Sequence, residues 1–315
     1  MSTLNQSERT PTAASIGARW ASTSAETRGL AYGFLGVLAF SLTLPATRAA
    51  VPAFGGTIVG LGRAVVAAVL AAALLGVLRE SRPPRRYWPG LVIVAIGVVV
   101  GFPLCTAIAL RTLPAAHGAV VVGLLPAATA VMAVIRAGER PPFAFWLACL
   151  GGVVAVLIFA AAQGAGRPQP ADGWLLAAVA LGALGYAEGG RLARDLGGWR
   201  VICWALILAA PIVAVPVGLE IADRGLHGGS GAWLGLAYVS VISMFVGFFA
   251  WYRGLALGGV ARVGQTQLLQ PILTLGWAAL LLGESVSGAT LLASLLVIAC
   301  VVLTRRSWKI GSRPN

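Results

Sequence analysis

Residues 124–139 read LLPAATAVMAVIRAGE, and residues 269–284 read LQPILTLGWAALLLGE. Both segments have a proline at the third position and Gly-Glu at the end, so each of these three residues recurs after 145 residues. Self-similarity at a constant distance indicates an internal duplication. The sequence therefore predicts two copies of one structural unit.

Composition places both copies in a membrane. Hydrophobic residues make up 58% of the chain, charged residues make up 10%, and the mean hydropathy is +0.88. Soluble domains contain roughly 45–50% apolar residues. The net charge of +13 does not indicate a nucleic-acid partner, because the basic residues lie mainly in short connections and at the termini. That distribution is typical of membrane topology signals, so the predicted partner is the lipid bilayer.

Ten apolar runs have about the length that a bilayer-spanning helix needs, roughly 20 residues. We number them α1 to α10. The first copy contains α1 to α5, at residues 29–48, 56–78, 89–110, 115–135 and 142–162. The second copy contains α6 to α10, at residues 173–194, 200–221, 232–253, 260–282 and 286–304.

The segments outside the helices define the predicted domain boundaries. The two repeats occupy residues 29–162 and 173–305, and the polar, Gly/Pro-rich residues 163–172 link them. Residues 1–28 are rich in Ser, Thr and Ala and have no apolar core, so they predict a disordered cytoplasmic tail rather than a cleaved signal. Residues 306–315 form a second predicted cytoplasmic tail.

The arginines predict how the chain is oriented. With the N-terminus inside, the inner segments contain 18 basic residues and the outer segments contain 4. Basic residues concentrate on the cytoplasmic side, so both termini are predicted to be cytoplasmic. Because five is an odd number, the second copy must enter the membrane from the side opposite to the first. The predicted fold is an all-α integral membrane protein with ten transmembrane helices in two inverted five-helix repeats, an arrangement typical of transporters that work by alternating access.

The pattern resembles the drug/metabolite transporter superfamily, and within it the EamA-type permeases with ten helices. The residues that carry the resemblance are 125–140, 270–285, Phe40 with Arg48, and Tyr186 with Arg194. It covers residues 29 to 306 and implies an inner-membrane permease for small molecules, often an exporter of amino acids, metabolites or toxic organic compounds. Phe40 and Tyr186 stand where the family usually has tryptophan, so a tryptophan contact with substrate is not implied.

Other functions stay open at this stage. The sequence has no ATP-binding loop, so any transport is predicted to be secondary or facilitated, without a cofactor. The four cysteines lie far apart in apolar runs and predict neither a metal site nor a disulfide framework. One alternative is a membrane-embedded enzyme acting on lipid-like substrates, which would need clustered His, Asp or Glu. Another is a sensor with the permease fold and no flux. No motif predicts an oligomeric state.

Two charged residues lie inside predicted helices, where an isolated charge is costly and points to function. Arg63 in α2 could bind an anionic group such as an amino-acid carboxylate, or it could have a structural role. Glu188 in α6 could pair with Arg191, three residues later, or it could be a proton-coupling or cation-binding carboxylate. Both alternatives stay open for each residue.

The two copies differ in polarity within α4 and α9. The polar residues of α9 that align with apolar residues of α4 are Gln265, Thr266, Gln267 and Gln270. Unpaired amides in hydrocarbon are costly, so these side chains are predicted to face the interior, either in hydrogen bonds between helices or in contact with substrate. Tyr186 and Tyr238 are further candidates, and the predicted cavity is lined by α1, α4, α6 and α9. Tyr238, Trp251 and Tyr252 in α8 could line an aromatic cavity, or they could mark the membrane interface, as Trp and Tyr near helix ends usually do.

The residues that the copies share have a predicted structural role. Pro126 and Pro271 each remove a backbone donor, so each predicts a kink within its helix or, as the functional alternative, a hinge or an ion-coordinating carbonyl. Glu139 and Glu284 lie just before α5 and α10, and each is predicted to cap the helix that follows it. His117, near the predicted outer end of α4, is interpreted as a solvated or capping residue.

Overall fold

The structure is a computed structural model. It describes residues 13–139 and 170–285 continuously, with side chains from residue 25, together with scattered positions between 142 and 154 and between 288 and 299. Every regular element in these described residues is helical. The fold class predicted from sequence, all-α, agrees with this description.

Most of the described helices are composed of several segments. In the first copy, the segments of α1 to α4 are Ala13–Ser41 and Thr43–Thr57 for α1; π-helical Ile58–Gly62 and Arg63–Val77 for α2; Trp88–Val94, π-helical Ala95–Gly101 and Phe102–Ala109 for α3; and Ala115–Val122 and Leu125–Ala137 for α4. A short 3₁₀ turn, Arg85–Tyr87, precedes α3.

The second copy is described in the same way. Its segments are Pro170–Leu196 for α6; Gly198–Arg224 for α7; Ser230–Ala237, π-helical Tyr238–Val246 and Gly247–Gly258 for α8; and Val260–Gly264, 3₁₀-helical Gln265–Leu269 and Gln270–Leu282 for α9.

The described helices are long enough for a membrane. Six stretches are both long and apolar enough to cross one, and the first of them, Ala25–Val77, contains α1 and α2. Gly55 separates these two helices with φ of 77°, a left-handed conformation that favours glycine. Predicted α5 and α10 lie largely outside the described residues. α1 begins at Ala13, within the stretch predicted to be a disordered tail, where the chain is rich in helix-favouring alanine.

Both repeated prolines lie at a break between two segments. Pro126 is in the first turn of Leu125–Ala137, and Pro271 is in the first turn of Gln270–Leu282. Proline is well tolerated there, because the first turn of a helix has no intrahelical partner for its N–H groups. The prolines therefore begin new helical segments, which is a sharper break than the predicted kink.

The repeated Gly-Glu pairs end α4 and α9. Gly138 and Gly283 adopt φ of 67° and 65°, the left-handed conformation of a helix C-terminus. The N–H groups of Glu139 and Glu284 each donate back to the last turn, at 3.2 Å. The same geometry in both copies projects the two glutamates away from their own helices.

Each glutamate caps a helix of the other copy. The Glu139 carboxylate accepts hydrogen bonds from the N–H groups of Val260 and Ala261, at 2.7 and 2.8 Å. α9 therefore begins where α4 ends, and the two helices are antiparallel. Glu139 thus caps α9, whereas the first turn of α5, the helix that follows Glu139, lies largely outside the described residues.

The second cap is the counterpart of the first. The Glu284 carboxylate accepts hydrogen bonds from the N–H groups of Ala115 and Ala116, both at 3.0 Å. Ala115 and Ala116 precede Val260 and Ala261 by 145 residues, the distance that separates the two glutamates. The two copies therefore exchange equivalent caps, and the first turn of α10, the helix that follows Glu284, lies largely outside the described residues.

Ion pairs between the copies define one end of the bundle, which we call the basic end. The pairs found there are Arg136–Glu188, Arg194–Glu139, Arg200–Glu80 and Arg262–Glu26. The other end, which we call the opposite end, contains Arg48, His117, Asp172 and Glu284. Segments predicted to share a side of the membrane therefore lie together.

Candidate functional site

The interior of the bundle contains an unpaired cation. Arg63 is only 1% exposed and directly follows the π-helical turn Ile58–Gly62. Its Nε donates to the carbonyl of Gly60 at 3.3 Å, and its Nη2 atom has no hydrogen-bond partner. Within the described residues Arg63 forms no ion pair. A buried guanidinium without a counter-charge is costly, so this site can accept an anion.

Tyr186 and Gln267 lie near Arg63. Tyr186 is within electrostatic range of Arg63, and its hydroxyl lies beside the Gln267 side chain. The Tyr186–Gln267 contact does not have hydrogen-bond geometry, and neither amide atom of Gln267 has a partner. Three helices, α2, α6 and α9, therefore bring a guanidinium, a hydroxyl and an amide together in the interior. We call Arg63, Tyr186 and Gln267 the polar cluster.

Aromatic rings surround Tyr186. Its ring lies 5.3 Å from that of Trp251, 6.1 Å from that of Phe248 and 6.3 Å from that of Phe40. Tyr252 extends this group at 5.2 Å from Phe248. All five rings are buried, and the indole Nε1 of Trp251 has no hydrogen-bond partner. The polar cluster thus borders an aromatic wall from α1, α6 and α8.

Sequence patterns did not single out Trp251 as a site residue. Tryptophan and tyrosine near a helix end usually mark the membrane interface, and this interpretation competed with an aromatic cavity for Trp251 and Tyr252. The discriminating signal is the spacing in α8: Phe248, Trp251 and Tyr252 are related by i,i+3 and i,i+4, so they share one helix face.

A narrow crevice adjoins the polar cluster between α1, α4 and α9. Its lining residues are Leu44, Ala119, Val122, Leu125, Gln267, Gln270, Pro271 and Thr274. The crevice is too narrow for a water molecule. Because residues 265–269 form a 3₁₀ turn, Gln267 and Gln270 are nearly eclipsed and line it together. This crevice is therefore closed in this conformation.

Three predicted site residues lie elsewhere. The hydroxyl of Thr266 donates to the carbonyl of Val263 at 2.7 Å, and its side chain faces Gly33 of α1. Gln265 is buried but does not line the crevice. The hydroxyl of Tyr238 donates to the carbonyl of Ala39 at 2.9 Å, so it ties α8 to α1 instead of joining the polar cluster.

Glu188 lies near the basic end and is fully buried. Its carboxylate is 2.9 Å from Arg136 of α4 and 2.5 Å from Arg191, three residues along α6. Both arginines are partly exposed, at 35% and 42% of their side chains. Glu188 therefore joins the two copies through an ion-paired network, and it is the buried carboxylate of this interior.

Within the described part of the chain, no group of three or more His, Cys, Asp or Glu side chains could hold a metal ion. Besides Glu188 and the polar cluster, the described interior contains buried hydroxyls without a hydrogen-bond partner, among them those of Thr47 and Thr129. This arrangement can bind a small anionic molecule.

Comparison with known proteins identifies the family. Residues 27–161 and 169–306 each match the EamA-like transporter family. The protein belongs to that family. This EamA-like transporter is 47% identical to the uncharacterized transporter YdeK of Bacillus subtilis (strain 168), over 89% of this chain and 98% of that protein. The resemblance noted in the sequence is confirmed.

Two further similarities are more distant. A protein of Streptantibioticus cattleyicolor, named as a probable terminal-alkyne amino-acid exporter, is 26% identical over 86% of this chain and 91% of its own. A crystal structure of a protein that is 20% identical superposes with a TM-score of 0.69, over 92% of this chain and 99% of the other, which shows a shared fold. This EamA-like transporter is therefore a multi-pass membrane transporter.

Proposed function

We propose that this EamA-like transporter is a secondary or facilitated exporter of small amphipathic carboxylates, such as amino-acid-like or drug-like compounds. In this proposal it has ten transmembrane helices in two inverted repeats and exposes its interior alternately to the two sides of the cell membrane. The excess of arginine supports a cytoplasmic position for the basic end and both termini.

The observation that carries the proposal is the unpaired guanidinium of Arg63. Arginine binds carboxylates through two parallel hydrogen bonds, and its Nη2 atom is free of protein partners. A bound carboxylate would supply the missing counter-charge. The Tyr186 hydroxyl and the Gln267 amide offer further hydrogen bonds to the same polar group or to a neighbouring amine.

The surroundings of the polar cluster support an amphipathic substrate. The aromatic wall offers an apolar surface on one side, and the crevice continues between Leu44, Val122 and Leu125 on the other. A molecule with a charged head and a short apolar part would match both. The name of the S. cattleyicolor relative, an amino-acid exporter, agrees with this class of substrate and with export.

Alternating access is supported by the exchanged caps. Glu284 and Glu139 cap equivalent helix starts at the two ends of the bundle. A movement that opens one end therefore has an equivalent movement at the other end. Since the crevice is too narrow for a water molecule in this conformation, a substrate can enter it only after α1, α4 and α9 move apart.

We also propose that Glu188 couples transport to protons. Protonation of its carboxylate would remove the charge that holds Arg136 and Arg191, and would loosen α4 from α6 at the basic end. Proton binding would therefore favour opening of that end. Glu188→Gln should abolish the dependence of transport on a pH gradient; unchanged gradient-driven transport would remove this role.

Arg63→Gln tests the substrate class. Purified protein is screened by thermal shift with amino acids, their amides and nucleosides, and any stabilising ligand is then assayed for flux in proteoliposomes. A carboxylate-bearing ligand should bind at least about tenfold more weakly to Arg63→Gln, the scale of a hydrogen bond to a charged group. The matched amide should bind weakly to both proteins.

Arg111→Gln, which changes an exposed arginine at the opposite end, is the control and should leave binding unchanged. Equal binding of the carboxylate by wild type and Arg63→Gln would contradict the proposed site. A ligand that stabilises the protein without any flux would favour the sensor.

A further inference from the structure

The two ends of the bundle contain equivalent contacts. At the opposite end, Glu284 caps the start of α4, and the third residue of that helix, His117, contacts Asp172 of α6 with Nε2 2.8 Å from Oδ1. At the basic end, Glu139 caps the start of α9, whose third residue makes the equivalent contact. That contact is the ion pair between Arg262 and Glu26.

These two contacts are counterparts in the repeat. His117 and Arg262 are 145 residues apart, as are the two capping glutamates. Glu26 and Asp172 are 146 residues apart, the distance that also separates Phe40 from Tyr186 in the same pair of helices. Each contact joins one copy to the other next to a capped helix start, so each must break if that end is to open.

The two contacts differ in one chemical property. A guanidinium stays charged throughout the physiological pH range, whereas an imidazole changes charge between about pH 5 and pH 8. The side chains of His117 and Asp172 are 19% and 23% exposed, so protons from the solvent reach them. A neutral imidazole can keep a hydrogen bond to Asp172, but only the protonated form adds the attraction of opposite charges.

The other charges near His117 come from four elements. The described charged groups on the elements packed around it are Asp172 on α6, Glu284 after α9, Arg48 on α1 and Arg111 before α4. Glu284 already accepts two backbone hydrogen bonds, and Arg48 donates to the carbonyls of Leu110 and Arg111. Asp172 is thus the carboxylate that directly contacts the imidazole.

We propose that His117 and Asp172 form a pH-sensitive latch that acid strengthens at the opposite end, while the equivalent Arg262–Glu26 contact holds the basic end at any physiological pH. The latch itself does not depend on the proposed substrate. Its consequence for transport rests on the proposed function: with the opposite end outside, an acidic medium slows opening to the outside.

Double electron–electron resonance, which measures the distance between two spin labels, tests the latch without any substrate. Thr112 and Gly173 are exposed at the opposite end, and a side chain at Gly173 would meet nothing within 4 Å. Both are changed to cysteine, labelled in a background with the four native cysteines replaced by serine, and measured in lipid nanodiscs. The distance between the labels is short when the opposite end is closed and long when it is open. The ratio of the closed to the open population should fall roughly three- to fivefold from about pH 5.5 to about pH 8, the scale of a partly exposed ion pair.

Variants separate the latch from other pH effects. His117→Arg should give the short distance at both pH values, and Asp172→Asn should favour the long distance at both. Arg82→Gln, which changes an exposed arginine outside both contacts, is the control and should keep the wild-type response. His117→Gln keeps a hydrogen-bonding side chain and covers the case in which His117→Arg does not fold.

A wild-type distribution that does not change with pH would overturn the latch. A pH response that persists in both His117→Gln and Asp172→Asn would overturn it too. Because no substrate is present, either result leaves the role of Arg63 untouched, and a failure of Arg63 to bind carboxylates leaves the latch intact.

Discussion

The ring of Phe40 lies parallel to the ring of Tyr186, with centroids 6.3 Å apart and planes inclined by 10°. The two residues occupy equivalent positions in α1 and α6. Their stacking brings the two copies together in the interior, beside Arg63 and Gln267. Any movement that separates α1 from α6 must therefore slide or part these rings. The packing at the centre of the molecule thus depends on the relative position of the two copies.

Tyr186→Phe should weaken substrate binding while leaving the fold intact. The variant keeps the ring and loses the hydroxyl that faces Gln267. The affinity for a carboxylate ligand should fall about three- to tenfold, as expected for one lost hydrogen bond of about 1 kcal/mol. Isothermal titration of the purified protein measures this change.

Tyr238→Phe is the control for the same chemical change. Its hydroxyl donates to Ala39, away from the polar cluster. It should lower the free energy of unfolding by about 1 kcal/mol without changing affinity. Equal effects of both variants on affinity would remove Tyr186 from the site.

Glu139→Gln and Glu284→Gln should both destabilise the protein, and by different amounts. Each removes charge from two hydrogen bonds to a helix start, a loss of about 1–2 kcal/mol. Glu139 also pairs with Arg194 at 3.1 Å, so its replacement should cost more. Unfolding by detergent titration in bicelles measures both losses.

Arg194→Gln provides the control for that difference. Combined with Glu139→Gln it should add little further destabilisation, because the ion pair is already lost. If replacing either glutamate left stability unchanged, the exchanged caps would not hold the two copies together.

Gly90→Ala should disturb the network around Glu188. A methyl group at Gly90 would clash with the Glu188 Oε1 atom, so the carboxylate must move away from its arginines. The expected loss is about 1–3 kcal/mol in the free energy of unfolding. Gly76→Ala is the matched control in a helix, because nothing lies within 4 Å of a methyl group there. It should be neutral or stabilising, by up to about 1 kcal/mol, and a similar loss for both would contradict the close contact.

Glu80→Gln should have an effect that depends on pH. The hydrogen bond from Arg200 lowers the pKa of Glu80 from its usual value. The stability that comes from a lowered pKa is present above the usual pKa and is lost as the pH falls through the lowered one. The variant should therefore melt at a slightly lower temperature than wild type near neutral pH, and at the same temperature in strong acid. A difference that persists in acid would assign the effect to packing.

The sequence predicted the breaks and ends of α4 and α9 well, because the residues that cause them act locally. A glycine with positive φ and a proline in the first turn of a segment act within a few residues, so Gly138, Gly283, Pro126 and Pro271 could be recognised from the chain alone. The partner of Glu139 could not, because it depends on how α9 packs against α4. The sequence places Glu139 next to the start of α5, whereas the contact that the structure describes is with the start of α9, which is distant in sequence.

The candidate site was predicted in part for a similar reason. Arg63 stands out because a charge in an apolar run is rare, and Gln267 stands out because its counterpart Val122 is apolar. Neither signal tells which helix faces which. Thr266 and Tyr238 share the polar character of Gln267, yet their hydroxyls bond to nearby backbone carbonyls. Trp251 could not be distinguished from the aromatic residues that are common at membrane interfaces.

The exchanged caps make the two copies depend on each other. A polypeptide with one copy alone would begin its fourth helix without a capping carboxylate, because Glu139 and Glu284 each cap a helix of the other copy. Neither copy therefore contains all the contacts that stabilise its own helices.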